Sequence, residues 1–201
     1  MLHEHTPNMF PMGYQGTSVM DVLSTMLNEN TCGILKLTCP ICTYCIPQYD
    51  LLKNVMHIEH LFKKPDSTIE IVLGLNGSTE IDYDCASCGA GSMLLSAFLS
   101  DMPDIWAFGI YTIKLNLKPK LELTINNTIR HLRLRGIIYV GQFHFTSRLF
   151  KENGSIWYHD GQTTGRSCTF EGYLQNLENT NSLLEAGEGF LKKMAVSVIY
   201  A

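Results

Sequence analysis

The chain has 201 residues, 45% of them hydrophobic and 17% charged, with a formal net charge of −4. That is enough length and apolar content for a packed core, in one domain or two small ones, without disulfide staples. The mild acidity argues against general affinity for nucleic acid, and no window approaches the roughly 18 uninterrupted apolar residues of a membrane span. No basic stretch followed by an apolar run opens the sequence, so no secretory signal is read there and an intracellular, reducing location is expected.

Residues 1–16 are rich in Met, Pro, His and Gly, lack periodicity, and read as a loose leader or the edge of a cut domain. Thr17 and Ser18 are candidate caps for a short helix in which Val19, Val22, Leu23, Met26 and Leu27 recur at helical spacing. A cysteine cluster, CPICTYC from Cys39 to Cys45, follows. From Ser67, STIEIVLGLN carries β-branched residues and predicts a strand leading to a second cluster, DCASCG from Asp84 to Gly89. Beyond Met93 the texture changes to apolar or alternating runs punctuated by Gly, Asn and Pro: Ile105–Leu117, Leu132–Gly141, Phe143–Phe150 and Ser155–Asp160. TFEGYLQNLE predicts a short helix, NTNSLLEAGEG a polar connection and MAVSVIYA a closing strand. Arg130, Arg133 and Arg135 alternate with Leu132 and Leu134, which reads as one solvated strand face rather than a phosphate-binding patch.

The cysteines carry the chemistry. Zinc takes four tetrahedral thiolate or imidazole ligands, and the two-residue gap of C-x-x-C lets both sulfurs of one tight turn face the same ion. Cys39-Pro-Ile-Cys42 and Cys85-Ala-Ser-Cys88 supply two such turns, and Gly89 supports the second. A structural Zn2+ on Cys39, Cys42, Cys85 and Cys88 is therefore expected, with Cys42-Thr-Tyr-Cys45 as a competing first knuckle. His57 and His60 could join a mixed ligand set, but with four thiols available they read as surface or semi-buried histidines. Cys32 and Cys168 stand alone and read as core or semi-exposed thiols. The organisation predicted is α+β: a helix and zinc-ribbon fingers over 17–100, then an antiparallel β-sheet over 101–201.

A second constellation lies in GQFHFTSRLFKENGSIWYHDG, where His144 sits in an apolar strand and Asp160 just after the next. An antiparallel hairpin brings the start of one strand near the end of its partner, so the two side chains are expected within hydrogen-bond reach. A thiol protease needs such a pair: an imidazole as base and a carboxylate to fix its tautomer. A core histidine beside a turn aspartate gives the same pattern.

The order of these features resembles the second half of a ubiquitin-specific protease catalytic domain. The two C-x-x-C knuckles match its fingers, and Met102-Pro103-Asp104-Ile105 matches the strand that follows. Leu132-Arg133-Leu134, Phe143-His144-Phe145 and Trp157-Tyr158-His159-Asp160 match the next three motifs, and KKMAVSVIYA the closing strand. The resemblance implies a papain-like cysteine protease half-domain, with a β-sheet palm behind zinc-ribbon fingers. It implies His144 as general base, Asp160 as its orienter, and ubiquitin or a ubiquitin-like modifier as partner. The chain departs from the family pattern at Phe143, where a glycine is usual, at Gly161, where a second acid is common, and in a Trp-to-Asp spacing one residue shorter. The cysteine box is the largest departure. Asn30-Thr31-Cys32 is similar to its centre, but Gly33-Ile34-Leu35 follows and Cys39 arrives seven positions later. The nucleophile is therefore expected from upstream sequence or another chain, and the isolated chain is expected to be inactive. A ubiquitin-binding module without chemistry and a plain zinc-ribbon interaction domain are the alternatives.

Overall fold

The computed structural model describes residues 18–58, 61, 67–75, 77–111, 115–126, 128–141, 144–187 and 192–201. His60 and Phe143 lie outside them. The fold is α+β, mostly antiparallel strand with two helices among the described residues: α1 (Val19–Met26) and α2 (Ile69–Val72). In chain order the strands are β1 (Thr31–Thr38), β2 (Cys45–Lys53), β3 (Val55–His57), β4 (Thr79–Asp82), β5 (Ser92–Leu99), β6 (Trp106–Gly109) and β7 (Lys120–Ile125). There follow β8 (Thr128–Gly141), β9 (His144–Phe150), β10 (Ser155–His159), β11 (Thr169–Tyr173), β12 (Glu185–Ala186) and β13 (Lys193–Tyr200). No helix of the described residues is long and apolar enough to cross a membrane.

Two sheets organise these strands. A four-stranded finger sheet runs β2-β1-β5-β4, so two hairpins lie side by side with β1 and β5 at the centre. A larger sheet runs β11-β10-β9-β8-β13-β6-β3, with β7 added to β8 and β12 to β13. One apolar cluster spans both sheets, from Leu35, Leu37, Leu52, Met93 and Leu95 in the fingers to Phe108, Tyr139, Val198 and Tyr200 in the palm. A smaller cluster lies under α1, where Met20 and Leu23 pack on Val55 and Ala107. The helix and β3 therefore belong with the palm sheet.

Strand β8 shows how the sequence sets the pairing. Leu132 and Leu134 are buried and alternate with exposed His131 and Arg133, as the pattern predicts. The pairing with β13 then shifts between Leu134↔Tyr200 and Gly136↔Ile199, so Arg135 is an extra residue and the buried positions move to Ile137 and Tyr139. Such a bulge changes the facing side without breaking the strand. Strand β13 is buried on both faces over Ala195, Val196, Ser197 and Val198, and both its edges are paired, to β8 and to β6. The predicted closing strand is thus a central one.

Three local expectations fail for physical reasons. Residues STIEIVLGLN do not form a strand: Ile69–Val72 is a short helix, capped by the Thr68 hydroxyl accepting from the Ile71 amide at 3.4 Å. The cap and the sharp turn at Gly74 override the β-branched propensity of Ile69 and Val72. Residues TFEGYLQNLE do not form a helix: Thr169–Tyr173 is a strand, and only Leu174–Asn176 makes a 3-10 turn. Cross-strand contact decides this, since Phe170 faces Trp157, with ring centroids 5.4 Å apart. Residues NTNSLLEAGEG are more than a polar connection, because Leu183 and Ala186 are buried and β12 pairs with β13. Arg148 pins this edge from β9, bonding Glu171 at 2.6 Å and the Glu185 carbonyl at 2.8 Å.

Candidate functional site

The knuckles are the turns of the two finger hairpins, and they are built alike. In the first, the Cys39 amide donates to the Tyr44 carbonyl at 2.8 Å and the Thr43 amide to the Cys39 carbonyl at 3.1 Å. In the second, the Cys85 amide donates to the Ala90 carbonyl at 2.7 Å and the Gly89 amide to the Cys85 carbonyl at 2.8 Å. The fifth residue of each turn has positive φ, +59° at Thr43 and +71° at Gly89. That region is strained for a β-branched side chain and free for glycine. Thr43→Gly is therefore expected to raise finger stability by about 0.5–1 kcal/mol, and Gly89→Ala, which meets no atom within 4 Å, to lower it by about 1 kcal/mol. Denaturant melts of the two variants would show the opposite signs.

Because β1 and β5 are neighbours, the two turns meet. The sulfurs of Cys39, Cys42, Cys85 and Cys88 all lie within 4.8 Å of one another. Cys39 Sγ is 3.6 Å from Cys88 Sγ, and Cys42 Sγ is 3.6 Å from Cys85 Sγ. A tetrahedron with metal–sulfur bonds of about 2.3 Å has edges of roughly 3.8 Å, so the donor set fits a zinc-sized ion. The Tyr44 amide, foremost, lowers the Cys42 thiol to about 6, against burial. The Cys42 amide likewise lowers Cys39. Such amide donors favour the thiolate that a metal requires. Cys45 starts β2 opposite Thr38, outside the cluster, so Cys42 and not Cys45 completes the first knuckle. His57 lies on β3 and is not part of the cluster.

At one end of the palm sheet, β9 begins with His144 and β10 ends just before Asp160. Their antiparallel pairing, which runs to Ser147↔His159, brings the two side chains together. His144 Nε2 is 2.7 Å from Asp160 Oδ1. Asp160 is held on three further sides. Its Oδ1 accepts from the Gln162 amide at 3.0 Å, its Oδ2 from Lys193 Nζ at 3.4 Å, and its own amide donates to the Thr164 hydroxyl at 3.2 Å. Burial works to raise the Asp160 carboxyl, but the His144 hydrogen bond, the Gln162 amide and the Lys193 charge together hold it well below the usual carboxylate range. An ionised Asp160 can only accept, so Nε2 carries the imidazole proton and Nδ1 the lone pair. Nδ1 has no hydrogen-bond partner among the described residues.

The remaining thiols do not meet this pair. Cys32 is buried in β1, donates to the Leu52 carbonyl at 3.3 Å, and burial pushes its thiol up to about 11. A thiol so firmly protonated is a poor nucleophile. Cys168 is exposed beyond the loop after Asp160. Sequence reasoning named His144 and Asp160 but missed Lys193, Gln162 and Thr164. Gln162 and Thr164 follow an aspartate closely enough to suggest a turn. Lys193, separated from Asp160 by 33 positions, left no local signal.

No protein-family model matches the sequence, and a search of curated proteins gave no match. Among solved structures, the chain is similar to one in the SAGA DUB module Ubp8/Sgf11/Sus1/Sgf73 bound to monoubiquitin, with a TM-score of 0.46 and 11% identity over 86% of this chain and 40% of that one. It is also similar to a chain of the yeast SAGA DUB module carrying an Sgf73 mutant, with a TM-score of 0.47 and 10% identity over 92% of this chain and 45% of that one. In both comparisons the chain spans less than half the length of the chain it matches.

Proposed function

We propose that this chain is the fingers-and-palm part of a ubiquitin-specific-protease-like domain, a papain-like half-domain with His144 as general base and Asp160 as its orienter. The observation that carries the reading is the 2.7 Å contact between His144 Nε2 and Asp160 Oδ1, in a chain whose finger hairpins also converge four thiols. In this reading Cys39, Cys42, Cys85 and Cys88 hold a structural Zn2+, which ties the finger hairpins together and takes no part in the reaction. An intracellular, reducing compartment belongs to the proposal because the site needs its thiols unoxidised.

The reaction proposed for the complete enzyme is hydrolysis of the isopeptide bond after the C-terminus of ubiquitin. His144 Nδ1 takes the proton of a cysteine thiol, and the thiolate attacks the carbonyl carbon. The imidazolium, stabilised by Asp160, returns that proton to the departing lysine amine, leaving an acyl-thioester. Water then attacks the thioester, giving its proton to Nδ1, and the free carboxylate and thiol result. Among the described residues no thiol is hydrogen-bonded to His144, so the cysteine is proposed to come from upstream sequence or another chain.

That no thiol is hydrogen-bonded to His144 among the described residues favours a second reading, a ubiquitin-binding module without chemistry. Incubation with a C-terminally reactive ubiquitin probe is expected to give no covalent adduct, while titration with ubiquitin gives saturable binding. An adduct on Cys32 would overturn the assignment of the nucleophile to another segment. A folded, metal-loaded chain that neither reacts with ubiquitin nor binds it would leave only a zinc-ribbon interaction domain.

A further inference from the structure

We infer that Lys193 is a positioning residue for the His144–Asp160 pair: its ammonium holds the second carboxylate oxygen of Asp160 and tempers the basicity of His144. The assignment rests on reading His144 as the base, and its geometry is specific. Lys193 Nζ is 3.4 Å from Asp160 Oδ2, while Oδ1 is taken by His144 and the Gln162 amide. With Oδ1 and Oδ2 engaged from different elements, the carboxylate plane is fixed, and with it the imidazole.

The lysine is built in rather than reaching over from solvent. Its side chain is 13% exposed, less than the 20% of His144. Its stem lies against the backbone of β8 at Gly141, the residue paired with His144. A Cβ at Gly141 would lie 2.8 Å from Lys193 Cγ and 3.1 Å from the Lys192 carbonyl oxygen. Glycine at this position thus leaves the space in which the lysine reaches Asp160. The neighbouring charges are otherwise committed: Lys192 pairs with Glu185 at 2.6 Å, Arg148 with Glu171, and His159 Nε2 lies 3.1 Å from the Gly165 carbonyl oxygen. Lys193 is therefore the cation that bears on Asp160 besides His144 itself, among the described residues.

The electrostatic sign is fixed by this arrangement. Asp160 alone favours the imidazolium, whereas a cation sharing the same carboxylate disfavours it. Removing the Lys193 charge therefore moves the balance towards the imidazolium, the form that cannot accept a thiol proton.

The test is titration of the His144 ring protons by NMR, with His144→Gln used to assign the signal. Lys193→Met keeps the stem over Gly141 and removes the charge, and it is expected to raise the His144 midpoint by about one unit. Lys193→Arg is expected to restore the midpoint to within about 0.3 unit, and Gly141→Ala to move it partway up. Lys193→Gln provides the same reading should methionine disturb the fold. A midpoint unchanged in a folded Lys193→Met or Lys193→Gln protein would overturn the assignment. The titration needs neither turnover nor ubiquitin, so failure here is distinct from a failure to bind ubiquitin.

Discussion

Replacement of Cys85 by serine is expected to abolish metal binding and to melt the finger sheet before the palm. Cys85 is almost fully buried, and its sulfur lies among three others at the tips of two hairpins. A structural four-thiolate zinc site supplies about 10 kcal/mol or more of apparent binding free energy at neutral pH, as much as the net stability of many domains. Among the four thiols Cys88 is exposed, so the apolar packing at the tip is thin and a bound ion would be the principal tie there. Metal analysis should give about one equivalent per chain for the native protein and none for Cys85→Ser. Hydrogen exchange should accelerate across 31–53 and 79–99 while 128–141 and 193–200 remain protected, because Leu134, Ile137 and Val198 are held by the palm core. Cys45→Ser should keep the metal, whereas Cys42→Ser should lose it. A native chain with no metal and undiminished stability would remove the zinc reading.

The second large effect is expected at Asp160. Its side chain, 10% exposed, accepts from His144, Lys193 and the Gln162 amide, so alanine there leaves two basic groups and an amide without their acceptor. Removing one member of a buried charged pair costs up to several kcal/mol, and at this sheet end, where His144 is 20% exposed, Asp160→Ala is expected to cost about 2–4 kcal/mol. Asp160→Asn should cost less, since an amide oxygen can still accept. The pH dependence has a definite sign. The folded-state carboxyl lies below its unfolded value near 3.9, so its contribution is whole above about pH 5 and declines as pH falls through that value towards the folded one. Chemical denaturation from pH 7 to pH 2.5 should show native stability falling towards that of Asp160→Asn. Parallel curves would mean that the carboxylate is no more stable folded than unfolded.

Much of the four-thiol cluster was legible in the sequence because its members come in two short turns, and a turn is a local object. Cys39 and Cys42 declare one another, as do Cys85 and Cys88; only the choice between Cys42 and Cys45 needed the pairing of β1 with β2. His144 and Asp160 were legible for a similar reason, since a hairpin joins them. Local pattern misled where distant contacts decide the conformation. Ile69 and Val72 have the composition of a strand, yet a Thr68 cap and the turn at Gly74 hold them as a helix. Thr169 to Tyr173 has helix-compatible spacing but is held as a strand by Trp157 and Tyr158 across the ladder. Lys193 was invisible for the most general reason: neither its neighbours nor its spacing reports a contact with Asp160, which only the folded sheet creates.

The placement of β13 between β6 and β8 sets a timetable for synthesis. Gly109 completes β6 and Gly141 completes β8, but Tyr200, which lies between them in the sheet, leaves the ribosome about 90 residues after Gly109. At roughly 5–20 residues per second, β6 waits about 5–20 seconds with one edge unpaired and the ring of Phe108 without the contact that Tyr200 later gives. During that interval the emerging palm presents open strand edges to any neighbouring chain, and it is then that the nascent protein has most need of a chaperone.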